Sequence, residues 1–331
     1  MDNTVAQVYR RFAESEARGV SGMYFDWASS LAGDPPVLKL IAGLPGLKRQ
    51  PNLVFAAARF AGAPMGPYSA FRDWLINSWA DVLPVILSRS TQTNEAARCA
   101  VLLPVLSRLK GPLALIEAGA SAGLCLYPDR YSYRYTSKGT TTALDPADGA
   151  GAVVLPCSID AGSVPQRLPE VVWRAGVDLN PIAADDPDGR AWLRALVWPE
   201  HEERRVRLEA ALRLAAVDPP RVVQGDLLEK VGTLIAEAPR DAHTVVFHSA
   251  VLVYLDPEGR EQFSELLRST PDVTWISNEG QQVLPRIAEQ LARDTLGRTV
   301  LAVNERPVAL TGPHGQSYEA LEPGGTGWPE G

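Results

Sequence analysis

Hydrophobic positions in the first 110 residues repeat at helical spacing. Tyr24, Trp27 and Leu31 recur at intervals of three and four residues, which is the period of one helix face. The same spacing predicts a long helix at residues 68–87, and strand-type alternation is almost absent. We therefore predict a helical cap domain over residues 1–110.

After residue 110 the pattern changes to short apolar runs that end in glycine or acidic residues. These runs are residues 113–116, 171–177, 221–223, 244–247, 273–277 and 299–303. Helical segments lie between most of them, at residues 191–196, 202–216, 227–236, 259–269 and 284–296. This alternation is typical of a doubly wound, mostly parallel α/β sheet. It predicts a Rossmann-like domain over residues 111–322, followed by a loose tail at 323–331.

Two segments depart from simple alternation. Residues 128–170 form an insertion between the first two core strands, with a β-hairpin that turns at Lys138-Gly139. Near the other end, residues 299–303 and 308–310 predict a C-terminal antiparallel hairpin.

Composition excludes several classes of protein. The 331 residues carry 32 Lys and Arg against 39 Asp and Glu, a net charge of −7, and 46% are hydrophobic. This balance argues against a nucleic-acid or membrane-surface binder, and no apolar run is long enough to span a bilayer. The three cysteines have no metal-binding spacing, so we expect reduced thiols, no metal site and a cytoplasmic protein.

The strongest local motif follows the first predicted strand, where the chain reads Glu117-Ala-Gly119-Ala-Ser121-Ala-Gly123. Small residues let a ligand approach the backbone closely, and a helix that begins at this turn would offer free N–H groups. The alternative is a tight strand-to-helix turn without a ligand.

The next two strands end in carboxylates. Asp178 follows the run 171–177 and is placed to accept the hydroxyls of a ribose, whereas Asp226 ends the following strand after Gly225. Both residues are candidates for cofactor binding. The alternative for Asp178 is a turn-capping role.

Polar side chains also end the fourth and fifth strands. His248, Ser249 and Tyr254 follow one strand, and Asn278 and Glu279 follow the next. Strand ends line the crevice of an open α/β sheet, so His248 could act as a general base and Glu279 could orient an amine or hydroxyl. A histidine satisfied by a backbone carbonyl and a glutamate that caps a turn are the alternatives.

A polar patch at residues 90–95 lies between two apolar helices of the predicted cap. Closure of this patch over the cofactor site is one prediction, and helix capping by Thr93 or Asn94 is the alternative.

Together these motifs resemble two families. Glu-x-Gly-x-Ser-x-Gly at 117–123, Gly-Val-Asp-Leu-Asn-Pro at 176–181 and Gly-Asp at 225–226 are similar to motifs of class I S-adenosylmethionine-dependent methyltransferases. With the segments at 91–95, 198–201, 246–250, 276–279 and 309–315, nearly the whole chain resembles the bacterial, largely actinobacterial, domain of unknown function 2332. The resemblance implies a methyltransferase-type Rossmann fold with a helical addition. It also implies S-adenosylmethionine as cofactor, bound by Glu117, Gly119, Ser121, Gly123, Asp178 and Asp226.

The chain departs from that family's pattern at three positions. Cys125 stands where asparagine is usual, Pro128 shortens the helix after the first motif, and Ala183 replaces an acidic residue. Cofactor binding can therefore be retained or lost.

The first functional expectation is a methyltransferase-like enzyme acting on a small molecule, with His248, Glu279 and Tyr254 as candidate catalytic residues. Thr93, Asn94, Ser249 and Asn278 are the candidate substrate ligands. One alternative is a non-methylating biosynthetic enzyme that catalyses a displacement or ring closure on the same scaffold. The other is a non-catalytic partner subunit, with homo- or hetero-oligomers formed through the cap.

Overall fold

The computed structural model describes residues 3–321, and the predicted tail at 323–331 lies outside them. The chain divides into two compact units. Unit 1 contains Met1–Thr93 and Asp186–Val206, and unit 2 contains Asn94–Asp185 and Arg207–Gly331. Across the described range, every helix is too short or too polar to cross a membrane.

Helices and strands alternate only in the second part of the chain. The helices are α1 (Asn3–Phe12), α2 (Gly22–Leu31), α3 (Pro35–Ala42), α4 (Pro51–Phe60), α5 (Tyr68–Asn77), α6 (Trp79–Ser88), α7 (Cys99–Leu106), α8 (Pro187–Leu196), α9 (Glu202–Val217), α10 (Leu227–Glu237), α11 (Pro257–Arg268) and α12 (Pro285–Ala288). The strands are β1 (Leu113–Ala118), β2 (Ser132–Ser137), β3 (Thr140–Leu144), β4 (Val154–Ile159), β5 (Val171–Asp178), β6 (Arg221–Gln224), β7 (His243–Ser249), β8 (Val273–Gly280), β9 (Thr299–Val303), β10 (Arg306–Thr311) and β11 (Ser317–Ala320).

Unit 1 is helical and packs around aromatic rings. Trp27 is fully buried and stacks on Phe71, with ring centroids 3.9 Å apart, while Phe55 meets both rings edge-on. The predicted helix at 68–87 is in fact two helices, α5 and α6. Ser78 lies between them at φ −103° and ψ 12°, a conformation that interrupts the helical hydrogen bonds.

The unit boundaries do not follow residue 110. The helix α7 belongs to unit 2, and α8 belongs to unit 1 although it follows β5 in the chain. Every residue of α7 is buried, so this apolar helix lies within a core.

Unit 2 contains one sheet of eleven strands in the order β3-β2-β4-β11-β10-β9-β8-β7-β1-β5-β6. Within it, β6, β5, β1, β7 and β8 are neighbours and all parallel. The chain runs outward from β1 through β5 to β6, then returns to the other side of β1 for β7. This reversal creates a switch point between β1 and β7, as in doubly wound sheets. The expected α/β class, with a large and mostly parallel sheet, is confirmed.

Both predicted hairpins form. The strands β9 and β10 pair antiparallel through Asn304 and Glu305, whose positive φ values of 48° and 63° are typical of a tight hairpin turn. The strands β2 and β3 pair antiparallel in the insertion. The insertion also contributes β4, which pairs in parallel with β2 and β11 and so joins the hairpin to the main sheet.

The segment after β1 differs from the expected helix. Residues 124–126 form a single 3-10 turn, because Pro128 has no N–H to continue a helix. Tyrosine side chains satisfy the backbone instead. The hydroxyl of Tyr131 donates to Leu124 O, and that of Tyr133 donates to Pro128 O, each at 2.6 Å.

A second predicted helix is much shorter than expected. The pattern at 284–296 yields only the four residues of α12. The side chain of Gln290 donates to the carbonyls of Arg286 and Glu305, and Leu296 adopts a left-handed φ of 53°. Tertiary hydrogen bonds therefore replace helical ones in this segment.

Candidate functional site

The carboxyl ends of five parallel strands meet at one edge of the sheet, beside the switch point. The turn 119–123 follows β1, Asp178 ends β5 and Asp226 follows β6. Ser249 ends β7, and its Cα pairs with that of Asn278 on β8. The structure thus brings most of the predicted site residues to this carboxyl edge, where ligands bind in open α/β sheets.

The turn after β1 packs directly against the loop after β7. Gly119 has a φ of 75°, and a Cβ atom at this position would lie 2.2 Å from Val251 Cγ2. Ser121 has a left-handed φ of 50°, as does Ala250 at 54°. Non-glycine residues in this region carry strain, and two of them flank the switch point.

Two side chains hold the turn in place. Asp178 Oδ2 accepts a hydrogen bond from Ser121 N at 2.8 Å, and its Oδ1 accepts from Asn180 N. Asn94 Oδ1 accepts from Ala122 N at 2.9 Å, while Asn94 Nδ2 donates to Ser121 Oγ at 2.6 Å. Asp178 and Asn94 are therefore braces of this turn in the structure.

The remaining N–H groups of the turn are also engaged. Those of Gly119 and Ala120 donate to Val177 O, and that of Gly123 donates to Ala120 O. The expected helix N-terminus with free donors is thus replaced by a turn whose five N–H groups all have partners. Such a turn is a poor cradle for a phosphate.

Asp226 caps α10. Its Oδ1 accepts a hydrogen bond from Leu228 N at 2.8 Å, and the residue is half-buried. The adjacent Gly225 has a φ of 153°, with Lys230 packed against it. The carboxylate therefore has a structural partner at the edge where a cofactor was predicted.

His248 lies in a buried hydrogen-bonded chain on one face of the sheet. Its Nδ1 is 2.7 Å from Glu279 Oε1, and its Nε2 accepts a hydrogen bond from Trp275 Nε1 at 3.0 Å. The imidazole is fully buried and meets the ring of Phe263 edge-on. Both ring nitrogens have partners, so a general-base role for His248 stays a prediction without an open nitrogen to support it.

Glu279 also binds the loop after β7. Its Oε1 accepts hydrogen bonds from Val251 N at 2.9 Å and Leu252 N at 3.2 Å, in addition to the contact with His248. The residue is 2% exposed, and its other oxygen is buried without a hydrogen-bond partner among the described residues.

Strand alternation places Glu117 and Ser249 on the opposite face of the sheet. Both are more than nine-tenths buried, and within residues 3–321 neither Glu117 Oε2 nor Ser249 Oγ has a hydrogen-bond partner. Burial raises the pKa of Glu117 well above its usual value, and the nearby thiol of Cys125 raises it further, while Arg98 lowers it. A carboxyl with this environment favours its neutral form.

Arg98 is part of this group and was not predicted. Its guanidinium is largely buried and donates to Ser249 O at 3.0 Å and to Pro313 O at 3.1 Å. The side chain of Asn278 is also held, since its Oδ1 accepts a hydrogen bond from Thr311 Oγ1 at 2.8 Å. One feature of the sequence could have pointed to Arg98: this charged residue immediately precedes the wholly apolar helix α7.

Two predicted residues do not join the buried group. Tyr254 is 71% exposed in the turn after β7, and Thr93 is exposed at the end of a segment of unit 1. Among the residues with described positions, no cluster of three or more His, Cys, Asp or Glu side chains could hold a metal ion. All three cysteines are free and buried.

Comparison with known proteins adds one finding. A family model described as an uncharacterized protein conserved in bacteria, DUF2332, matches residues 6–319. No curated protein and no solved structure matches the chain. The family match spans both units but names no activity.

Proposed function

Because the chain belongs to the DUF2332 family, whose description names no activity, we propose its function from the carboxyl edge of the sheet. We infer a methyltransferase-like enzyme that binds S-adenosylmethionine and acts on a small molecule. In this proposal unit 2 has a methyltransferase-type Rossmann fold. The observation that carries it is the strand order β6-β5-β1-β7-β8, with a small-residue turn after β1 and a carboxylate at the ends of both β5 and β6.

The state of the turn favours a nucleoside ligand without phosphates. All five N–H groups of residues 119–123 are engaged, two of them by Asp178 and Asn94. A dinucleotide needs such groups for its pyrophosphate, whereas S-adenosylmethionine has no phosphate. Asp178 lies next to the turn, where a carboxylate can accept the hydroxyls of a ribose in addition to its backbone donors.

Each residue at the edge then has a defined role. Gly119 and Gly123 keep the turn compact, Asp178 binds the ribose, and Asp226 contacts the adenine. Bound S-adenosylmethionine would supply an electrophilic methyl group for in-line displacement by the acceptor. This chemistry depends mainly on positioning, so it does not need His248 to exchange a proton. The catalytic roles predicted for His248, Glu279 and Tyr254 stay predictions.

One observation favours a second candidate, a non-methylating enzyme on the same scaffold. The helix expected after the first motif is reduced to one 3-10 turn at residues 124–126. If the cofactor needs that helix, the crevice would bind only the substrate of a displacement or ring-closure reaction.

Calorimetric titration of the full chain distinguishes the two candidates. We expect micromolar binding of S-adenosylmethionine and S-adenosylhomocysteine, with no binding of NAD. Asp178→Asn should weaken binding about tenfold or more, because it removes a charged acceptor. Glu237→Gln is the matched control, since this carboxylate pairs with Arg221 at the amino end of β6. The affinity of Glu237→Gln for S-adenosylmethionine should equal that of the wild type.

Asn94→Ala separates ribose binding from support of the turn. This variant removes the other brace of residues 121–122 and leaves Asp178 intact. An equal loss of affinity in both variants would mean that Asp178 acts only through the turn. Absence of binding to a wild-type protein that unfolds cooperatively would overturn the methyltransferase proposal and favour the second candidate.

A further inference from the structure

We propose that Glu279 is a positioning residue that fixes the loop after β7 against the turn after β1, and that Trp275 and His248 orient its carboxylate. The molecular contacts that carry this proposal are independent of any ligand. Only its consequence for cofactor affinity rests on the proposed function.

A single oxygen of Glu279 lies within hydrogen-bond distance of three nitrogen atoms. Oε1 lies 2.7 Å from His248 Nδ1, 2.9 Å from Val251 N and 3.2 Å from Leu252 N. The carboxylate is thus linked to two consecutive backbone amides and to a side chain of the preceding strand.

The hydrogen bond from Trp275 determines which nitrogen of His248 carries the proton. The indole Nε1 is only a donor, so Nε2 of His248 must be the acceptor in their 3.0 Å contact. The proton of a neutral imidazole then lies on Nδ1 and points at Glu279 Oε1. The hydrogen bonds from Trp275 to His248 and from His248 to Glu279 thus fix both the tautomer of His248 and the rotamer of Glu279.

The loop needs this support because its backbone turns sharply. The chain leaves β7 through Ala250, whose left-handed φ of 54° is strained in a residue with a Cβ. The turn directs the amides of Val251 and Leu252 at Glu279. It also seats the Val251 side chain where a Cβ on Gly119 would collide with it. Glu279 therefore fixes the loop that packs against the turn after β1 at the switch point.

The same two strands provide a matched control at their other end. His243 begins β7, and its Nε2 lies 2.7 Å from Oγ1 of Thr274 on β8. Like the His248–Glu279 contact, this pair joins a histidine of β7 to a polar side chain of β8. It lies at the amino ends of the two strands, away from the loop. Thr274→Val should remove it without reaching the loop.

The first experiment measures the network in the full chain by nuclear magnetic resonance. We expect the ¹⁵N shifts of His248, assigned by their loss in His248→Gln, to report the Nδ1-protonated tautomer. In Trp275→Phe the freed Nε2 should yield a mixture of tautomers. An Nε2-protonated ring in the wild type would overturn the proposed chain.

The second experiment measures hydrogen exchange at the loop amides. In Glu279→Gln, exchange at Val251 and Leu252 should accelerate about tenfold, because an amide group replaces the carboxyl oxygen that accepts from both backbone N–H groups and contacts His248. Exchange at Ser269 and Asn304, whose amides bond to the backbone carbonyls of Glu265 and Trp275 outside the loop, should change little. Thr274→Val should leave all four unchanged. Equal acceleration at all four amides in Glu279→Gln would indicate general loosening and overturn a positioning role.

Cofactor binding gives a separate measurement. If the wild type binds S-adenosylmethionine, Glu279→Gln should weaken that binding and Thr274→Val should not; equal affinities would overturn the effect on the crevice. If the wild type binds neither S-adenosylmethionine nor S-adenosylhomocysteine, the proposed function fails. The tautomer and exchange results then decide the positioning role alone.

Discussion

The two units of the chain bury different chemistry. In unit 1 the buried side chains are almost all apolar; of the polar and charged side chains that are buried within residues 3–321, only Ser21 and Asp34 belong to it. All the others belong to unit 2, including Glu117, His248 and Glu279.

This difference separates the part of the molecule built for packing from the part that can support a reaction. Apolar contacts stabilise a core without regard to protonation. Buried polar groups reduce stability unless they are paired. Among the described residues, unit 2 retains such unpartnered oxygens on Glu117, Ser249 and Glu279 at one sheet edge, whereas unit 1 has that of the Tyr9 hydroxyl. A fold that keeps such groups together gives up stability at a functional site.

The largest expected effect tests the apolar side of this comparison. Trp27→Ala should lower the free energy of unfolding by about 4 kcal/mol, because it removes a buried ring stacked on Phe71 and a hydrogen bond to Gly66 O. Urea denaturation should give the same loss at slightly acidic and slightly alkaline pH. A strongly pH-dependent loss would contradict this difference between the units, since it would link the core of unit 1 to titratable groups.

The next effect tests the close approach at the switch point. Gly119→Ala should reduce stability by about 3 kcal/mol, since it combines a positive φ with a collision against Val251. Gly111→Ala is the control for strain alone, because its φ is 74° and nothing lies within 4 Å of an added Cβ. Adding Val251→Ala to Gly119→Ala should recover the collision part. Equal losses at the two glycines would show that the loop moves aside freely.

The smallest effect concerns proton binding by unit 2. The pKa of Glu117 is raised from 4.5 by burial, so above that pH the folded protein holds a proton that the unfolded chain releases. The free energy of unfolding of the wild type, relative to that of Glu117→Gln, should therefore fall as pH rises from 4.5 to the raised pKa of the folded state. The slope should reach at most about 1.4 kcal/mol per pH unit.

Denaturation at several pH values checks this sign. The hydrogen bond from Arg221 lowers the pKa of the exposed Glu237 carboxylate. The stability of the wild type relative to Glu237→Gln should therefore rise, not fall, as pH rises toward 4.5. Below pH 4.5 the stability difference between wild type and Glu117→Gln should be constant. A difference that stays constant to alkaline pH would mean that Glu117 takes up no proton on folding.

Local signals explain which parts of the fold could be predicted. Apolar runs bounded by turn residues gave the core strands to within a few residues, and the connections at Lys138-Gly139 and at residues 304–307 marked both hairpins. The strands β4 and β11 were missed. One contains Pro156 and Ser158, the other has only four residues, and their pairing joins distant parts of the chain.

The candidate site divides in the same way. Position at a strand end is visible in sequence, which is why Asp178, His248 and Glu279 could be singled out. Their hydrogen-bond partners could not, because these depend on where separate strands and loops meet. Arg98 was missed for this reason, since its acceptors lie at residues 249 and 313.

The tyrosines that support the segment after β1 fix the permitted length of the chain there. Each phenol ring is a rigid spacer, and Tyr131 and Tyr133 reach back seven and five residues to their acceptor carbonyls. An insertion or deletion between residues 128 and 131 lies within both spans and would shift both hydroxyls out of register with those carbonyls. The exposed hairpin tip at Lys138-Gly139 carries no such constraint, so length variation among relatives should concentrate at that tip.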